Sequence, residues 1–93
     1  MSNGVSVDSA AVQAGIKCCD TSIRELEKAS QDLNKGDQQA GDNGWRDSKY
    51  ERLGEIVNEC RDALEKPVGE LNQCKEKLKA LLEAIINYEQ NKL

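Results

Sequence analysis

The chain has 93 residues, a net charge of −4 and no histidine; 32% of its residues are charged and 3% aromatic. At this length it is one small domain whose own core is marginal, because so short a chain buries only about 60–65% of its unfolded surface. Acids and bases alternate, which leaves no basic stripe for nucleic acid; no apolar run reaches the length of a membrane span; and Ala, Leu, Glu, Lys, Gln and Arg dominate, the vocabulary of long helices.

The first stretch, "MSNGVSVDSAAVQAG", has neither a basic n-region nor an apolar core, so no ordinary secretory signal peptide is expected. Residues 1–7 read as loose, and Asp8 or Ser9 as the cap of a first helix. From there Val12, Ile16, Cys19, Ile23, Leu26, Ser30 and Leu33 recur at alternating steps of four and three, a heptad seam with one polar interruption at Ser30. Lys17, Asp20, Arg24, Glu27, Lys28, Asp32 and Lys35 occupy the opposite face, so a helix is expected over about residues 8–35. "GDQQAGDNG" reads as its stop, with Gly36 in the left-handed C′ position and Gly41, Asp42, Asn43 and Gly44 in a turn over 36–47.

The second helix is expected over about 48–92. Ser48 and Glu51 have capping-box spacing, with Asp47 as the alternative cap. Its seam reads Tyr50, Leu53, Val57, Cys60, Leu64, Pro67, Leu71, Cys74, Leu78, Leu81, Ile85, Tyr88. Pro67 removes an intrahelical bond and crowds the turn before it, so a kink over 63–67 or a break there is expected; the unbroken phase of the seam favours the kink.

The expected fold is therefore all-α, an antiparallel helical hairpin that assembles into a four-helix-type bundle. Pairing would set Leu33 near Tyr50, Leu26 near Val57 and Cys19 near Leu64. The longer second arm would then overhang the first. Leu71, Leu78, Leu81, Leu82, Ile85, Ile86 and Tyr88 would have no partner within the hairpin, and would bind a second copy or another helical protein.

Cys18, Cys19, Cys60 and Cys74 read as small buried hydrophobes, with a disulfide as the alternative; their spacing lacks the pairing that zinc requires. There is no histidine, no paired carboxylate set and no phosphate-binding glycine loop. The one thiol beside a cation, Cys18 next to Lys17, is a weak nucleophile candidate. No catalytic, cofactor-binding or metal-binding residue is expected, and the chain reads as a non-enzyme.

The only Trp stands in "NGWRDSKYERL", at the turn between the two helices. A Trp in the turn of a helical hairpin of roughly this size resembles the WXG family, the small ESAT-like proteins of type VII secretion. The family's Trp-X-Gly is here Trp45-Arg46-Asp47, preceded by Gly44 and followed by Tyr50, which looks like divergent members that partner LXG toxins. The resemblance implies a secretion motif at Gly44, Trp45, Asp47 and Tyr50. It also implies a helical partner such as the N-terminal domain of an LXG-type toxin, contact with the secretion machinery, and a cytoplasmic stage before export without a cleaved signal. The family's tail signal, an aromatic residue followed four positions later by an acid, is incomplete: Tyr88 is followed by Lys92. The tail signal would then lie on the partner.

Overall fold

The computed structural model describes residues 3–44 and 46–91. They form two helices, α1 (Asn3–Asp42) and α2 (Ser48–Asn91), with no strand among the described residues. The protein is an all-α helical hairpin.

Both helices depart from the expected bounds. α1 begins at Asn3, ahead of the cap expected at Asp8 or Ser9, and it runs through Gly36 and Gly41 to Asp42. A helix tolerates an interior glycine at a cost of about 1 kcal/mol, so a glycine alone does not end one. The stop lies further on. Gly44 has φ +92°, and its N–H donates to the Gly41 carbonyl at 3.0 Å, one of the two bonds of a Schellman stop. The turn thus narrows from 36–47 to 43–47. α2 continues through Pro67 without a break, which leaves the third helical piece unformed.

Two compact units divide the contacts: Arg24–Gly69, and the segments outside it, up to Ile23 in α1 and from Glu70 in α2. In the first unit the helix segments run antiparallel. Tyr50 lies against Gly41, Gly54 against Asp37, and Arg61 against Ser30 and Asn34. In the second unit Lys75 pairs with Asp20, and Leu78 packs on Gly15.

These pairings correct the expected register. Tyr50 meets Gly41 rather than Leu33, eight residues further along α1, because the turn is shorter. Arms of 40 and 44 residues leave no overhang of several turns. Leu78, expected to lack a partner, covers Gly15, where an added Cβ would lie 3.2 Å from Leu78 Cδ1. The core is slight: Ile23 and Val57 are the buried hydrophobic residues among those described.

Candidate partner-binding surface

The turn is built around a cap and a close approach. Asp47 Oδ1 accepts from the N–H groups of Lys49 at 2.9 Å and Tyr50 at 3.1 Å, so Asp47, the alternative cap, starts α2. The short Asp side chain accepts from two donors of the first turn, the Tyr50 N–H being shared with the Asp47 carbonyl at 3.1 Å. The Tyr50 phenol then folds back over α1. A Cβ on Gly41 would clash with Tyr50 Oη and lie 3.0 Å from both Tyr50 Cζ and Arg46 Nη1. The Arg46 guanidinium stands 5.9 Å from the Tyr50 ring centroid, in cation–π range. Gly41 is the residue that admits this cover. Of the expected motif, the structure brings Asp47 and Tyr50 into the turn beside Gly44; Trp45 lies outside the described residues.

The seam of α2 is rotated from the expected one. Val57, Leu64, Leu71, Leu78 and Ile85 face inward as expected, but the flank turned in with them is Arg61, Val68, Lys75, Leu82 and Glu89. The neighbouring flank carries the rest of the expected seam: Cys60, Pro67 and Cys74 were expected inside, whereas Leu81 and Tyr88 were expected to lack a partner within the hairpin. Pro67 is half-buried, Cys60 and Cys74 are exposed, and Leu81 and Tyr88 are 49% and 63% exposed. Apolarity alone predicts the opposite choice. Arg and Lys bury their stems while their heads find polar partners on α1, which makes a mixed flank acceptable in a thin two-helix contact.

The polar partners are specific. Arg61 Nε donates to Ser30 Oγ at 3.2 Å and Arg61 Nη1 to Asn34 Oδ1 at 3.4 Å. Lys75 Nζ meets Asp20 Oδ1 at 2.5 Å. The hydrogen bond to Asp20 holds the Lys75 ammonium above its ordinary range, helped by the charges of Asp20 and Glu76 and opposed by desolvation. With side chains 22% and 40% exposed, this ion pair is screened and modest in strength. Ser30, the interruption in the α1 seam, is thus the acceptor for the inward Arg61. The sequence signal for it was present: a polar seam residue on one arm implies a polar seam residue opposite.

Of the seven residues expected to bind a partner, Leu71, Leu78, Leu82 and Ile85 are half-buried, Leu78 against Gly15 of α1. Leu81, Tyr88 and Ile86, the last 39% exposed, remain open. The cysteines correct another expectation: Cys18, Cys60 and Cys74 are exposed thiols, only Cys19 is half-buried, and all four are free. Cys60 borders an apolar groove with Ala29, Leu33, Ala63 and Leu64. A second groove, of about 270 Å³, lies between Leu26, Ser30, Arg61, Leu64, Val68 and Gly69. No helix among the described residues is long and apolar enough to cross a membrane. Compared with family models, with curated proteins and with solved structures, the chain matches none.

Proposed function

We propose that the chain is a non-enzymatic protein of type VII secretion, which packs against the helical targeting domain of an LXG-type toxin and serves as its targeting and export chaperone. The observation that carries this reading is the orientation of α2. Its mixed flank faces α1, while Cys74, Leu81 and Tyr88 stay in water. Burying a large apolar side chain is worth roughly 1.5–3 kcal/mol. A partner helix laid on this flank would supply the burial that α1 does not, and complete a bundle.

The hairpin, with Trp45 between its two helices in the sequence, supports the secretory assignment over a general adaptor. Asp47 stands where the WXG pattern has Gly, and it caps α2 through two backbone bonds. The departure from the pattern therefore has a structural use. The incomplete tail after Tyr88 fits a chain whose partner carries the export signal, with this chain held in the cytoplasm until the complex leaves.

The test is purification of the tagged chain from its own host, with bound proteins identified by mass spectrometry and the complex mass measured by light scattering. A long protein with an N-terminal helical region, bound in fixed ratio and no longer exported when this gene is deleted, is the expected result. A symmetric dimer with nothing else bound would move the reading to a self-pairing substrate. Unchanged export of every type VII substrate on deletion would remove the secretory role altogether.

A further inference from the structure

The two inward cations of α2 are treated differently. Lys75 has a carboxylate, Asp20, in its own unit. Arg61, half-buried in the other unit, has only the neutral acceptors Ser30 and Asn34, and among the described residues no carboxylate lies within ion-pair distance of it. A guanidinium carries five donors in a planar fork, and its strongest partner is a bidentate carboxylate. Two bonds to neutral oxygens at 3.2 and 3.4 Å leave most of that capacity unused.

Arg61 also forms part of the wall of the groove between Leu26, Leu64 and Val68. Gly69 also lines the groove, and a Cβ added there would meet nothing within 4 Å, so a neighbouring backbone has room to approach. Glu27 and Glu65, both exposed, stand at the rim. The lining therefore reads as aliphatic walls, one half-buried cation, and exposed anions.

We infer that this groove is a docking site for a helix of a partner protein whose apolar face carries one Glu or Asp, aimed at Arg61, with basic residues beside it that meet Glu27 and Glu65. The charge order of the groove dictates that of the occupant. An isolated carboxylate on an aliphatic helix face gains a charge-assisted bidentate pair at Arg61, whereas a Gln there gains only neutral bonds and a Lys is repelled. The site lies on the flank opposite the Cys60 side of α2, so it is additional to the surface assigned above. It needs a helical partner but no secretion system.

The probe is a set of three lactam-bridged amphipathic peptides about 18 residues long, held helical by the bridge because free helices of that length are marginal in water. They share a leucine face flanked by lysines and differ only at its centre: Glu, Gln or Lys. Binding to the full chain is measured by fluorescence anisotropy, and the contact is mapped by amide shifts of ¹⁵N-labelled protein. The Glu peptide is expected to bind about tenfold tighter than the Gln peptide. Its shifts should centre on Leu26, Leu64, Val68 and Gly69, and its advantage should vanish in Arg61→Gln. Equal affinity of the Glu and Gln peptides for the native chain overturns the acid recognition even if Arg61→Gln fails to fold. Binding by none of the three, or shifts centred elsewhere, overturns the groove as a docking site and leaves the export reading to its own test.

Discussion

Glycine means different things at different points of this chain. Gly36 is exposed within α1 and has open space where a Cβ would be; Gly41 is buried, and the Tyr50 phenol occupies that space. Alanine at 36 should therefore raise stability by about 0.5–1 kcal/mol, because glycine in a helix loses more backbone freedom on folding. Alanine at 41 gains the same propensity but must displace Tyr50 and Arg46, and should lower stability by about 1–3 kcal/mol. Urea unfolding of both variants checks the pair; equal shifts of the same sign would mean that Tyr50 does not cover Gly41 in solution. Lys75 is the second residue with a direction to test. Its pKa is raised in the folded state, so its contribution is fully present below the unfolded value of 10.5 and disappears as pH climbs through the higher folded value. The difference in melting temperature between the native chain and Lys75→Gln should hold at about pH 8 and shrink as the pH rises above 10.5. A difference that does not change with pH would rule out the Lys75–Asp20 pair as its source.

At the scale of the elements, the turn decides the register, and the register decides what each arm covers. α1 reaches Asp42 because its stop is the left-handed Gly44, not Gly36. α2 starts at Ser48 because Asp47 caps it. Asp47→Ala should cost about 1 kcal/mol by removing the carboxylate that accepts from the Lys49 and Tyr50 N–H groups, while Ser48→Ala should fall within a few tenths. The opposite ranking in thermal melts would make the Ser48–Glu51 box the working cap. Both candidates were legible in the sequence. The choice between them was not, since Asp and Ser are comparable caps and only the path of the backbone into α2 selects one. Helix type, the number of helices and the position of Pro67 within one unbroken helix were legible for a simple reason: heptad spacing and helix-forming composition are local properties. The end of α1 was misread because glycine spacing alone does not say which glycine takes positive φ.

For the whole molecule, the burial is thin, with Ile23 and Val57 as the buried hydrophobic residues described. Leu81 and Tyr88 contribute little to either unit as exposed residues, so the double variant Leu81→Glu, Tyr88→Glu should keep native helix content and unfold within about 0.5 kcal/mol of the parent. The same variant should lose the helical partner proposed above. Circular dichroism and co-purification together read both; a destabilised chain would show that the flank packs inside the hairpin. The flank was legible as apolar and heptad-spaced, and Leu81 and Tyr88 as lacking a partner in the hairpin, but the exposure of Cys60 and Cys74 was not legible. In α2 the heptads that share Val57, Leu64, Leu71, Leu78 and Ile85 can turn either neighbouring flank inward. A one-dimensional pattern weighs Cys60, Cys74, Leu81 and Tyr88 as the better core.

The sequence by itself determined that this protein is two long amphipathic helices joined by a glycine-bearing turn, because periodicity, helix propensity and turn chemistry are all set by neighbours in the chain. Only the tertiary structure decided which flank of α2 faces α1, that Gly41 lies under Tyr50, and that Arg61 sits against Ser30 and Asn34. Those outcomes depend on the rotation and register of one helix against another. A polar residue with a long apolar stem can hold an inward place once a partner stands opposite, and that pairing joins residues far apart in the chain, Arg61 and Ser30 being 31 positions apart.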